Sequence, residues 1–191
     1  MAKRYDTEER IALTIVIVEE VRMELKSSQS KFLMDYGSGT GLISLELSYL
    51  VDSILLVDSS KQMLDVVSDK IYRKGITNAK VLHADFTQQK THGLQADIIL
   101  MSLVLVHIPD TKKILENLYH MLNKDGKLII IDFDKNSKIS HPKVHNGFSH
   151  KELEGKLNEV GFTSIQINTF YHGEHIFMKQ DASMFLSSSM K

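Results

Sequence analysis

The sequence predicts an α/β protein built on a mostly parallel sheet, and three observations carry that reading. Short apolar strands alternate with helical patterns five times between residues 32 and 132, which implies right-handed crossovers and parallel neighbours. The fourth of these strands, residues 96–102, is nearly all apolar, as a strand covered on both faces should be. The third observation is Phe32-Leu33-Met34-Asp35-Tyr36-Gly37-Ser38-Gly39-Thr40-Gly41. It runs from an apolar strand through an aspartate into three alternate glycines, then into apolar positions at helical spacing.

Taken in order, residues 5–26 read as one helix. Asp6 or Thr7 can cap it, and Glu8 and Glu9 suit its first turn. Its β-branched run 15–18 would also suit a strand. Its expected role is packing against the sheet or covering a ligand pocket as a lid, with Tyr5 near its start. The first strand and glycine turn lead to a helix through Leu42, Ile43, Leu45, Leu47 and Leu50. A second strand at 53–58 ends in Asp58. A helix from about Ser60 carries Met63, Leu64, Val67 and Ile71 on one face and stops at Gly75. Residues 79–83 form the third strand, and 96–102 the fourth.

Pro109 and Asp110 open the next helix. Residues 123–126 turn the chain into a fifth strand at 127–132. Ser149 with Glu152 has the capping-box spacing, and Gly161 closes that helix. Residues 164–171 and 174–179 read as a hairpin around His172 and Gly173. The serine-rich residues 181–191 read as a loose tail. The expected organisation is an N-terminal helical lid (1–29), a ligand-binding domain (30–180) and that tail.

Composition narrows the function. With 191 residues, 42% hydrophobic, 25% charged and a net charge of −1, the chain fits one ordinary globular domain. No basic face is implied, so a nucleic-acid partner is not expected. There is no cysteine, which removes disulfides, thiolate metal sites and cysteine nucleophiles. No apolar span reaches transmembrane length and no signal peptide is evident, so the expected location is cytoplasmic, without a membrane partner.

Glycine lets a ligand approach the turn backbone closely. The following helix aims free N–H groups at whatever sits there. Ligands in such sheets bind outside the carboxyl ends of the strands, where the winding reverses. A dinucleotide fingerprint needs G-x-G-x-x-G; Gly41 falls one position early and Leu42 stands where the third glycine belongs. The turn also reads as one that needs glycine only for packing.

An acid before G-x-G-x-G resembles motif I of the class I S-adenosylmethionine (SAM) methyltransferases, and from about residue 30 to 179 the chain is similar to their small-molecule members. The resemblance implies a Rossmann-like seven-stranded sheet of order 3-2-1-4-5-7-6, with strand seven antiparallel and helices on both faces. It implies SAM as cofactor. Asp35, Tyr36, Gly37, Gly39 and Gly41 would lie along its methionine and ribose parts, and Asp58 would accept from both ribose hydroxyls. Asp85 and Phe86 would meet the adenine. Met63 would pack on the adenine face or serve as plain core. Met101 and Ser102 would meet the methionine ammonium.

Methyl transfer from a sulfonium needs a base only when the acceptor must lose a proton. His145 is the first candidate and His107 the second; His141 and His150 lie in the same loop region, and each also reads as a loop or cap residue. No metal is expected. The leading reading is a SAM-dependent methyltransferase acting on a small-molecule acceptor. A SAM-binding module without turnover shares the same pocket, and a nicotinamide dehydrogenase is disfavoured by Leu42.

Overall fold

A computed structural model describes residues 5–87 and 93–191, so the first four residues of the expected lid lie outside it. Its order is α1 (Glu8–Glu24), β1 (Phe32–Tyr36), α2 (Ser44–Leu47) with a 3₁₀ turn at Ser48–Leu50, β2 (Ser53–Asp58), α3 (Lys61–Lys74), β3 (Ala79–His83) and β4 (Ala96–Ser102). A 3₁₀ turn at Leu105–His107 follows, then α4 (Thr111–Met121), β5 (Leu122–Phe133), α5 (His150–Val160), β6 (Thr163–Phe177) and β7 (Gln180–Met190).

The seven strands form one sheet in the order β3-β2-β1-β4-β5-β7-β6. β1 to β5 are parallel, and β7 runs antiparallel to both β5 and β6. The core follows the sequence pattern. Leu33, Met34, Ile99, Leu100 and residues 128–131 are wholly buried, because both sheet faces are covered.

Local chemistry sets the helix ends. Thr7, Ser60, Asp110 and Ser149 each accept a backbone N–H at a helix start. Gly75 and Gly161 stop α3 and α5 in the left-handed conformation. The β-branched run in α1 stays helical, because Ile17, Val18 and Val21 bury one face against the core. α1 is fastened at both ends. Asp6 binds Lys70 Nζ at 2.7 Å, while Glu24 binds Lys127 Nζ at 3.0 Å and accepts from Ser188 Oγ at 2.9 Å.

Two expectations fail at the C-terminal end. Residues 181–191 are not a loose tail. They make nearly all of β7, inserted between β5 and β6, with Met184, Phe185, Ser187 and Ser189 buried. The serines suggest a polar segment, but a small side chain is also what fits between covered sheet faces. The hairpin does not turn at His172 and Gly173, since β6 runs through them with irregular register. It turns at Met178 and Lys179, with φ of +51° and +62°. Two successive left-handed residues suit a tight two-residue turn, which normally announces itself by Asn-Gly or Asp-Gly. Neither residue here carries that signal. The turn expected at 123–126 survives as an irregularity inside β5, where pairing with β4 jumps from Leu122 to Lys127.

Candidate active site

The carboxyl ends of β1, β2 and β4 surround a cavity of about 440 Å³. Its floor is the glycine turn after β1. Gly37, Gly39 and Gly41 have φ of +78°, +55° and +72°, a region closed to most side chains. Gly37 and Ser38 donate their N–H groups to Val57 O at 2.8 and 3.0 Å, tying the turn to β2. A Cβ on Gly37 would lie 2.4 Å from Val104 Cγ2, so only glycine lets the turn after β4 close against it. Gly41 does not line the cavity; a Cβ there would press on Leu45 and Leu56, which makes it a packing glycine.

The expected acids cluster here. Asp35 is buried at the end of β1 and accepts a hydrogen bond from Ser44 Oγ. Burial pushes its pKa up to about 7 against the opposing Ser44 bond, and the charge of Asp58 adds to the rise. Asp58 holds two backbone N–H groups, Gly39 on Oδ2 and Ser60 on Oδ1, each at 2.8 Å. Asp85 Oδ1 accepts from Thr87 N and Oγ1 at 2.9 and 2.6 Å. Tyr36 lines the cavity and stacks on Phe86, with ring centres 5.0 Å apart. Burial, then the charge of Asp85, push its hydroxyl up to about 12.

Met63 and Ser102 also line the cavity. The side chains of Phe86 and Met101 do not; both are core residues, so any contact from those positions is made by backbone. Ser38 Oγ and Ser102 Oγ are buried without a hydrogen-bond partner, and both belong to cavity-lining residues. Buried polar atoms are nearly always satisfied.

α1 forms the opposite wall through Arg10, Leu13, Thr14 and Ile17, at spacings of three and four residues. Tyr5 lies beside Gly39, and the Arg10 guanidinium sits 3.7 Å over its ring centre. Asp6 accepts from Thr40 Oγ1 at 2.5 Å, and Lys70 Nζ, which pairs with Asp6, also donates to Thr40 O at 2.8 Å. Among the described residues, no carboxylate pairs with Arg10.

The turn after β4 supplies Leu103, Val104, His107, Ile108 and Pro109. His107 therefore lines the cavity. Burial and the nearby charges of Arg10 and His141 hold its pKa below the ordinary value. His145 does not line the cavity. Its Nε2 lies 2.9 Å from Ile108 O and its N–H donates to Val106 O at 2.8 Å. His150 Nε2 meets Asp134 Oδ1 at 3.0 Å, and His141 Nδ1 accepts from Lys143 N at 3.1 Å. Among the described residues, no three histidines or carboxylates gather as metal ligands.

Three residues at or behind this site escaped the sequence reading. Arg10 and Thr14 share a helical face with Ile17, so their spacing was the available signal. Asp132 ends the apolar run 128–131 as Asp35 and Asp58 end theirs, yet it was read only as the end of a strand.

A family model described as a methyltransferase domain matches residues 27–180. The chain belongs to that methyltransferase family. Its sheet has the strand order of the class I SAM-dependent enzymes. Among curated relatives, the ubiquinone/menaquinone biosynthesis C-methyltransferase UbiE of Marinomonas sp. is 29% identical over 131 residues, which is 65% of this chain and 52% of that protein. The chain thus spans about half the length of the curated relatives it matches. A SAM-dependent methyltransferase from Aquifex aeolicus superposes with a TM-score of 0.73 at 22% identity, over 99% of this chain and 96% of that one. The YcgJ protein of Bacillus subtilis gives 0.78 at 15% identity, over 91% and 97%. These two share the fold.

Proposed function

We propose that the protein transfers the methyl group of SAM to a small acceptor with an apolar body. The observation that carries this reading is the cavity wall, where the glycine turn meets the Asp58 carboxylate, each of whose oxygens holds one backbone N–H. Its volume lies within the usual range for small-molecule pockets.

The residues fit SAM by donor and acceptor count. Each Asp58 oxygen already takes one N–H and keeps a lone pair for one hydroxyl of a vicinal diol. Asp85 accepts from an exocyclic amine. Arg10 is the cation in the wall for a carboxylate. When bound, SAM supplies an already activated methyl group on a sulfonium. The protein's work is to hold the two reactants in line and exclude water. α1 serves as the cover, held over the glycine turn by Asp6, Thr40 and Lys70.

Beyond the glycine turn the wall is apolar: Leu13, Ile17, Leu103, Val104, Ile108 and Pro109. A ring compound of the quinol kind suits such a wall, and the UbiE relatives are named for C-methylation in ubiquinone/menaquinone biosynthesis. Methylation at a ring carbon or oxygen releases a proton. His107 is placed to take it, and its depressed pKa keeps the ring neutral near pH 7, ready to accept. His145 is not placed for that task.

The test is calorimetry with S-adenosylhomocysteine, 5′-methylthioadenosine and NAD, followed by incubation with SAM and a panel of hydroxylated quinols, read by mass for an added methyl. Binding of the first two without NAD, and one methylated quinol, is the expected result. Arg10→Met should weaken S-adenosylhomocysteine by about tenfold, the worth of a hydrogen bond to a charged group. It should leave 5′-methylthioadenosine, which lacks the carboxylate, unchanged. Tight binding with no methylated product from any acceptor would favour a SAM-binding module.

A further inference from the structure

The turn between β4 and α4 owes its shape to groups outside itself. Leu103 has φ of +56°, a conformation costing a β-carbon residue about 1–2 kcal/mol. Its N–H donates to Ile131 O at 2.8 Å, across to β5. The 3₁₀ turn that follows leaves its first N–H groups without acceptors of its own. Asp132 reaches them from β5. Its Oδ2 accepts from Val106 N at 3.1 Å, and Oδ1 accepts from Phe133 N at 2.9 Å. From the other side, His145 donates its N–H to Val106 O, and its Nε2 meets Ile108 O.

We propose that Asp132 and His145 are positioning residues that clamp residues 103–108, and so hold His107 and Val104 against the cavity. This rests on the reading of that cavity as the methyl-transfer site. Asp132 is wholly buried, and no cation is among the groups that stabilise its charge. An uncompensated buried carboxylate is costly, and a leucine of similar size would pack there without that cost. What the carboxylate gives that leucine cannot is acceptor capacity for two amide N–H groups, one of them in the turn. An asparagine keeps the shape but turns a donor toward donors. The clamp therefore acts on the turn more than on the core, and it reaches the chemistry through His107, one residue beyond Val106.

The test needs neither cofactor nor acceptor. In the whole protein, proton NMR follows the His107 ring titration and amide exchange follows Leu105 and Val106, with exposed His172 and core Ile99 as controls. Asp132→Asn should raise exchange at Val106 by about tenfold or more. It should move the His107 titration up toward the ordinary value of about 6.5. His172 and Ile99 should not change. If Asp132→Asn does not fold, His145→Phe attacks the same turn from the half-buried side and carries the same readouts. A folded variant with unchanged Val106 exchange and unchanged His107 titration overturns the clamp. Failure of the wild-type protein to bind S-adenosylhomocysteine would remove the methyl-transfer reading and leave this result standing.

Discussion

Two turns face each other across the cavity, and they are built by opposite means. The turn after β1 holds its shape because side chains are missing: three glycines take positive φ, and Val104 fills the space a Cβ on Gly37 would need. The turn after β4 places a leucine in the same left-handed region and is held by partners from β5 and the loop after it. The first turn draws its glycines from ten residues and is then tied to Val57 and Asp58 of β2. The second depends on groups 26 and 37 residues away, the separations of Val106 from Asp132 and Ile108 from His145. Local chemistry shapes the floor of the cavity, whereas the turn opposite it is held by the tertiary structure.

The largest expected effect lies on the second turn. His107→Gln should lower kcat by about 10²–10⁴-fold, the usual worth of a positioned base. It should leave S-adenosylhomocysteine affinity nearly unchanged. Full turnover in that variant would reduce the second turn to a wall.

The contact between the turns is tested next. Gly37→Ala should destabilise the protein by about 2–4 kcal/mol, from left-handed strain and overpacking together. Adding Val104→Ala should recover the overpacking part and none of the strain, so thermal unfolding of the double variant separates the two. Complete recovery would mean that the first turn tolerates a side chain after all.

A smaller effect belongs to the floor alone. Asp58→Ala should weaken S-adenosylhomocysteine by about 1–3 kcal/mol, the range for hydrogen bonds to a charged group. The fold should survive, since Asp58 sits at a strand end. Unchanged calorimetric affinity would take Asp58 out of the site.

The smallest effect compares one carboxylate behind each turn. Asp35 and Asp132 are both raised from 3.8 to about 7 by burial. The folded protein then keeps protons that the unfolded chain has lost between those values. Stability from each group is full below about pH 3.8 and falls as pH rises through about 7, by at most about 1.4 kcal/mol per pH unit. Denaturant titrations from pH 4 to 8 should show this slope, and Asp35→Asn or Asp132→Asn should each remove a share. Saturating SAM, a cation beside Asp35, should reduce the Asp35 share and spare that of Asp132. Equal reductions would place both groups in one environment.

The same contrast explains what the sequence disclosed. The glycine turn and the helix caps were readable because each rests on residues near one another in the chain, while the strand order followed only from the resemblance to the methyltransferase family. His145 looked like the better base because it lies in the loop expected to cover the acceptor, yet its ring is turned onto Ile108 O. Arg10 was hidden in the charged first turn of α1 and Asp132 behind an apolar strand. The antiparallel seventh strand was expected at 174–179 and lies at 180–190 instead, because serine usually marks exposure and only the neighbouring strands and helices make residues 187–189 interior.

That inserted strand has a consequence for how the molecule is made. β7 follows β6 in the chain yet lies between β6 and β5. On the ribosome β6 emerges first, with its sheet neighbour still to come. Until residues 184–190 are free, the edge of β5, whose residues 128–131 are wholly apolar, stays open. An open apolar edge is a template for pairing with another nascent chain. Docking of β7 is therefore the step that closes this edge against other chains.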